Sequence, residues 1–159
     1  MNESTPVFHL TNGYDLDLFQ SARLVEWLDT RGEREWLMRT AAAELGFTYV
    51  MIRYIAGMAA AMGLVDARRG SLQPLGKALR QVDPYLTQPV VPWIIHFNLG
   101  ANPRHLVWHR MACSFICPRW SFRSEEAKAQ FLDLEHRYHS RETMSHVAKE
   151  VADFLQAYT

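Results

Sequence analysis

Cysteine is scarce in this chain. Cys113 and Cys117 are the only two in 159 residues, and a pair four apart is not the framework of a secreted, disulfide-stapled domain, so a reducing cytoplasm is the expected setting. Long apolar runs are missing as well. The longest uncharged apolar stretch, Tyr54 to Val65, falls well short of the roughly 20 residues a membrane span needs. The first residues, Met-Asn-Glu-Ser-Thr-Pro, have neither the basic start nor the apolar run of a signal peptide. There is no phosphate loop, no dinucleotide glycine motif and no nucleophile elbow. Acids are absent from Pro84 to Ser124. Internal repeats, low-complexity tracts and linkers are also lacking, which leaves one domain, 1–159, as the expectation.

What is present begins with apolar content and an uneven charge distribution. Hydrophobic residues make up 48%, enough for a core without metals or disulfides. A formal net charge of zero hides a division. Residues 1–45 carry eight acids and four Lys/Arg, and residues 125–159 seven acids and four Lys/Arg. Between them, residues 46–124 carry nine Lys/Arg against Asp66 and Asp83 alone. A basic middle between acidic ends suits an anionic partner docking on one face. Segment charge need not form a surface patch, so the bland reading stays beside it.

Periodicity and capping predict a mostly α-helical chain. The first helix should cover Asp15 to Asp29, with Leu16, Phe19, Leu24, Trp27 and Leu28 toward the core. A second should cover Glu33 to Leu45, with Trp36 on its apolar face, and end at Gly46 as a left-handed cap. A third should run from Thr48, its N-cap, to Met62. Leu64–Gln73 reads as a β-hairpin with a basic, glycine-containing tip, and Pro74 opens a helix to Val82. Three helices, a hairpin and a helix is the order of a winged helix-turn-helix, over about 14–82. Residues 83–159 should add a helical bundle. It would hold Trp93–Leu99, a helix from Pro103 to Cys117, one from Ser124 to about His139, and one from Arg141 to Tyr158. The last carries Met144, Val147, Val151, Leu155 and Tyr158 on a stripe read as core.

The middle of the chain also carries a resemblance. It rests on Gly46-Phe-Thr-Tyr-Val-Met-Ile-Arg-Tyr-Ile, Met62-Gly-Leu-Val and Leu72-Gln-Pro-Leu-Gly. Asp83-Pro-Tyr-Leu, Trp93-Ile-Ile-His-Phe-Asn-Leu, Ala101-Asn-Pro and Ser121-Phe-Arg-Ser-Glu-Glu add to it. Over about residues 45–125 the chain resembles the bacterial domain-of-unknown-function family four-thousand-seven. The resemblance implies a winged-helix-like protein encoded near genes similar to phosphoadenosine-phosphosulfate reductase, in DNA sulfur-modification and phage-defence neighbourhoods. It supplies no catalytic residues.

Two constellations stand out. On the third helix, Met51, Ile55, Met58 and Met62 share one side, widened by Ile52 and Ala59, and Tyr49, Arg53, Ala56, Gly57 and Ala60 share the other. In a helix-turn-helix that second side would enter the major groove, with Arg53 reaching guanine or phosphate. Arg68 and Arg69 of the wing would contact the backbone. The competing reading packs Ala56, Gly57 and Ala60 against a neighbouring helix or a protein partner. The second constellation is His105, His109, Cys113 and Cys117, which are zinc's preferred ligand types. Steps of four residues on an α-helix spread them over about 18 Å and rotate each by a further ~40°, too far for one ion. An adjacent pair would need help from His96, His136, His139 or His146. They read as a half-buried flank beside Val107, Met111 and Phe115. Redox use of the two cysteines is weaker still, since i,i+4 positions seldom meet disulfide geometry. Glu125 and Glu126 read as helix-start dipole partners.

The expectation is therefore a non-enzymatic, nucleic-acid-binding winged-helix protein of a prokaryotic defence or DNA-modification system, with DNA ahead of RNA. No metal, cofactor, membrane or small-molecule substrate is expected. Its contact residues would be Tyr49, Arg53, Arg68, Arg69, Arg104 and Arg110. The alternative is a small helical adaptor subunit of a larger nucleoprotein complex, for example a CRISPR-type effector. An exposed patch of Trp93, Trp108 and Trp120 would favour that adaptor. A basic stripe from the wing to Arg104 and Arg110 would favour nucleic acid.

Overall fold

A computed structural model describes residues 17–31, 37–119, 121–134 and 141–156. These are mostly helical, with one two-stranded antiparallel hairpin and no helix long and apolar enough to cross a membrane. The chain divides into two compact units, Leu16–Asn98 and the residues from Leu99 onward.

In the first unit, α1 spans Leu18–Arg31, α2 Met38–Leu45 and α3 Tyr49–Ala61. Leu24, Val25, Trp27 and Leu28 of α1 are buried. Phe19, expected beside them, is 58% exposed. The buried stripe runs through Ser21, Leu24, Val25 and Leu28, and at 100° per residue Phe19 falls far outside that arc. Leu16, Trp36 and the acids expected to open the second helix lie outside the described residues. That helix begins only at Met38, because Leu37 is extended (φ −128°).

The joint between α2 and α3 is built locally. Gly46 is left-handed (φ 73°), its N–H donates back to Ala43, and the Phe47 N–H donates to the Ala42 carbonyl at 2.8 Å. This two-bond closure of a helix end favours glycine because L side chains resist positive φ. Arg23 of α1 donates to the Leu45 carbonyl and stacks its guanidinium over the Phe47 ring at 4.7 Å. Thr48 then caps α3, its hydroxyl accepting from the Met51 N–H at 3.1 Å. Three residues thus stop one helix and start the next.

After α3, Gly63 (φ 79°) turns the chain into the hairpin. Strands β1 (Val65–Asp66) and β2 (Ser71–Leu72) pair Val65 with Leu72 and Asp66 with Ser71. Helix α4, Pro74–Val82, begins with its proline in the first turn, as predicted. It packs against the hairpin so closely that a Cβ on Gly76 would lie 2.0 Å from the Leu64 carbonyl oxygen. Arg80 of α4 ties back to α1 through Glu26 at 3.0 Å and Asp29 at 3.3 Å.

A loop held by Asp83 leads to α5, Val90–Ala101. Asp83 is buried, and its carboxylate accepts from the Thr87 hydroxyl at 3.1 Å and the Gln88 N–H at 2.8 Å. Burial alone would raise its pKa, but donation from Gln88 and Thr87 wins and holds it below the usual carboxylate value. Helix α5 is longer than the expected Trp93–Leu99, since Pro92 falls in its first turn, where a missing N–H costs nothing. Val91 and Ile95 are buried, and the Asn98 amide donates to the Met62 carbonyl at 3.0 Å, satisfying a group at the end of α3. The first unit therefore reaches beyond Val82.

In the second unit, the helix expected from Pro103 starts only at Leu106. The Asn102 side chain accepts from the Arg104 N–H at 3.0 Å, and the Asn102 carbonyl accepts from the His105 N–H at 3.0 Å, so the chain turns first. Helix α6 (Leu106–Arg110) widens into a π-helical segment, Met111–Ile116. Arg119 donates to the Phe115 carbonyl at 2.8 Å at the end of that segment and covers the Phe115 ring. The helix expected from Ser124 to about His139 is interrupted: α7 spans Ser124–Ala129, a turn covers 130–131, residues 132–134 are helical again, and 135–140 lie outside the described residues. Its N-cap position is Arg123 and Ser124 is already helical. Helix α8 spans Arg141–Gln156. Val147, Val151 and Phe154 are buried as a core face, Met144 and Leu155 are half-buried, and Tyr158 is not described. Trp108 is enclosed here, 1% exposed, edge-on to Phe154 and donating to the buried Glu150 carboxylate at 2.8 Å.

Candidate nucleic-acid interface

The outward face of α3 is set by what its inner face buries. Ile52, Ile55, Ala56, Met58, Ala59 and Met62 are all buried, while Met51 is half-buried. Ala56, expected on the outer side, is fully enclosed, because the small residues at 56 and 59 let the helix sit deep against its neighbours. What remains outside is Tyr49, Val50, Arg53 and Gly57, with Ala60 half-buried. No carboxylate lies within ion-pair reach of Arg53 among the described residues. Gly57 is in open space: a Cβ added there would meet nothing within 4 Å. A mid-helix glycine costs about 0.8–1.0 kcal/mol relative to alanine. No packing among the described residues repays that cost.

The hairpin tip stands beside the start of α3. A depression of about 610 Å³ is lined by Leu37, Met38 and Arg39 of the α2 start, Tyr49 of α3, and Ala67 and Arg68 of the tip. The Arg39 guanidinium lies over the Tyr49 ring, 5.8 Å from its centre. The tip itself is rigidly made. The Asp66 carboxylate accepts from the N–H groups of Arg68 at 2.9 Å and Arg69 at 3.1 Å, and the Gly70 N–H closes onto the Asp66 carbonyl at 2.8 Å. Those two backbone donors, Arg69 first, hold the Asp66 carboxyl below its usual pKa. Arg69 lies 3.8 Å from the Asp66 carboxylate with its side chain 79% exposed. The tip is thus braced by the one acid in it and presents two arginines outward.

The remaining expected residues lie in the second unit. Arg104 is exposed in the Asn102 turn. Arg110 is engaged: it donates to Asp133 at 2.6 Å and to the Gln130 carbonyl at 2.7 Å, and it covers the Phe131 ring at 5.2 Å. A guanidinium so occupied ties α6 to the α7 end. The His/Cys stripe is split by the change of helix type. His105 precedes α6 and is buried, with its Nδ1 lacking a partner among the described residues. The His109 Nδ1 meets the Gly100 carbonyl at 2.7 Å, and the Cys113 sulfur lies 3.7 Å from both. Cys117 is exposed. Among the described residues no group of three or more His, Cys, Asp or Glu is placed to hold a metal ion.

The family model "Protein of unknown function (DUF4007)" matches residues 24–159, most of the chain. The protein belongs to the DUF4007 family. No curated protein and no solved structure matches it. The DUF4007 match reaches beyond residues 45–125 at both ends, taking in most of α1 and all of α7 and α8. Sequence reading of this DUF4007 chain missed Arg39, because α2 and α3 bring it to Tyr49 only through their turn. It also missed the Arg110–Asp133 pair, twenty-three residues apart in sequence. The brace at Asp66 did carry a signal: an aspartate two residues before a basic pair and a glycine is an Asx-turn pattern.

Proposed function

We propose that this DUF4007 protein is a non-enzymatic nucleic-acid-binding protein of a prokaryotic defence or DNA-modification system. In this reading α1–α4 and the hairpin act as a winged helix-turn-helix, with α3 as the reading helix. One observation carries the proposal: Tyr49, at the start of the exposed side of α3, and Arg68 of the braced tip line the same depression, with Arg53 and Gly57 further along that exposed side and Arg69 next to Arg68 on the tip. Gly57 admits a phosphate–sugar backbone or a base edge close to the helix. Arg53 supplies a donor fork for guanine or phosphate, and the tip arginines neutralise phosphates. Arg39 and Tyr49 add a cation and an aromatic face to the rim. Arg110 is left out of this surface, since its guanidinium is taken by Asp133.

Fluorescence anisotropy with duplex DNA at several salt concentrations tests the reading. Arg68→Ala with Arg69→Ala should weaken binding to all sequences alike and flatten the log–log salt slope by about 0.9 for each phosphate no longer neutralised. Arg53→Ala should relax sequence preference, a bidentate arginine–guanine pair being worth about 1–3 kcal/mol of discrimination. Wild type and these variants binding equally weakly would overturn it. The adaptor reading would then take its place. Of its three tryptophans Trp93 is exposed, Trp108 is buried, and Trp120 is outside the described residues.

A further inference from the structure

The depression between the α2 start, the α3 start and the hairpin tip has a lining that a duplex does not explain. Leu37, Met38, Tyr49 and Ala67 make it apolar and aromatic, and Arg39 and Arg68 add two guanidiniums. None of these described lining residues is acidic. Leu37 is 66% and Tyr49 48% exposed, so apolar surface stands open there. At about 610 Å³ the hollow falls within the roughly 300–1,000 Å³ of pockets that take small ligands. The outside of a duplex is phosphate, sugar and groove edge, and the flat faces of its bases are hidden in the stack. A duplex lying on α3 and the tip would supply phosphates for the arginines and nothing flat or apolar for the space between them.

We infer that the depression receives one unpaired base, turned out of the nucleic acid that α3 and the tip hold; the inference rests on that proposed function and names the form of nucleic acid it selects. Every base has a π face that stacks on aromatic rings and on arginine planes, whatever its identity. The Arg39 guanidinium lies 5.8 Å from the centre of the Tyr49 ring, so both kinds of stacking surface stand together here. Leu37 and Met38 add apolar surface beside them. The two arginines meet the phosphates that flank the turned-out nucleotide, and no described acid in the lining repels those phosphates. The Arg68 N–H is bound to the Asp66 carboxylate at 2.9 Å, so one wall of the hollow is fixed before anything enters it. Turning out a base costs least where that base has no partner. The site therefore selects a bulge, flap or frayed end over a perfect duplex.

Anisotropy of the full chain with three otherwise identical DNAs tests it: a perfect duplex, the same duplex with one unpaired base, and that bulged duplex with its unpaired position abasic. Wild type should bind the bulged duplex about tenfold or more tighter than its abasic form, the gain expected of one base stacked on an aromatic ring. Tyr49→Ala should abolish that ratio, and Tyr49→Phe, which keeps the ring, should retain it. Arg68→Ala with Arg69→Ala should weaken binding to all three DNAs. Equal affinity of wild type for the bulged and abasic duplexes would overturn the inference, while the proposed function would stand if the two arginine changes still weaken duplex binding. A ratio that persists in Tyr49→Ala would overturn it as well, since the base would then be held elsewhere. If none of the three DNAs binds, the proposed function falls and the inference with it, and an acidic protein segment carrying an aromatic residue becomes the occupant to test.

Discussion

Trp27 does two jobs with one side chain. Its ring is 6% exposed in the α1 core, while its N–H donates to Glu44 of α2 at 2.8 Å, where Arg31 also binds. Trp27→Ala should lower unfolding free energy by about 3–5 kcal/mol, measured by chemical denaturation. A change within error would mean the ring is not in the core. Thr48 is a smaller case. Thr48→Ala removes the bond to the Met51 N–H and should cost about 1 kcal/mol by the same measurement, whereas Thr48→Ser should keep most of it. His105 sets a pH dependence. Burial lowers its pKa from the ordinary 6.5, opposed by the Leu99 carbonyl and reinforced by Arg104; burial lowers that of His96 too. A group whose folded pKa is depressed binds fewer protons folded than unfolded. Stability is therefore full above pH 6.5 and falls as pH drops through the imidazole range. His105→Leu should shrink the fall in melting temperature between about pH 7 and pH 5. An undiminished fall would place the titration elsewhere.

Among elements, the hairpin and α4 are the most tightly coupled pair. Gly76→Ala forces a methyl group onto the Leu64 carbonyl, which is backbone and cannot rotate away. Overpacking of this kind costs about 1–3 kcal/mol, and the melting temperature should fall accordingly; a neutral result would show that α4 can lift off the hairpin. Elements bounded by local signals were legible in the sequence. Thr48 capped α3, Pro74 opened α4, Gly46 ended α2, and the hairpin tip was marked by its arginines and Gly70. Where a boundary depends on distant groups, sequence was silent. Helix α7 ends where Arg110 donates to the Gln130 carbonyl from twenty residues away. The Asn98 amide of α5 likewise meets the Met62 carbonyl, thirty-six residues away. For the candidate site, Tyr49, Arg53, Arg68 and Arg69 were legible from helical periodicity and turn chemistry. Ala56 is enclosed, as the competing packing reading had it, while Gly57 is exposed; Arg110 was read as a free cation. Periodicity finds an apolar stripe but not its exact centre, and composition cannot tell which carboxylate a given arginine meets.

At the scale of the whole molecule, charge is sorted by pairing and not by segment. Of the basic middle, Arg80 and Arg110 are committed to acids drawn from the flanking segments, which leaves Arg53 on α3, Arg68 and Arg69 on the hairpin tip and Lys77 on α4 as the exposed cations that the middle gives the first unit. High salt should therefore weaken nucleic-acid binding far more than it weakens the fold, a contrast that anisotropy and thermal melts in the same salt series would expose. Equal sensitivity would mean that the tip arginines serve stability. Acid should act in the opposite order. Below the ordinary carboxylate value of 3.8, Asp83, Asp66 and Asp133, all held low in the folded chain, take up protons and their contribution to stability is lost.

Two glycines separate what natural or laboratory selection would do to this chain. At Gly76 the obstacle to any side chain is a main-chain oxygen, so no neighbouring substitution can open a path, and the position should stay glycine under every pressure. At Gly57 no described residue stands in the way. A library selected for heat resistance alone should fill position 57 with alanine early, since each such change gains about 0.4–1 kcal/mol at a compatible helical site. A library selected for ligand retention should keep glycine at both. The residues recovered at position 57 under the two regimes would thus report whether anything outside the chain has been approaching α3.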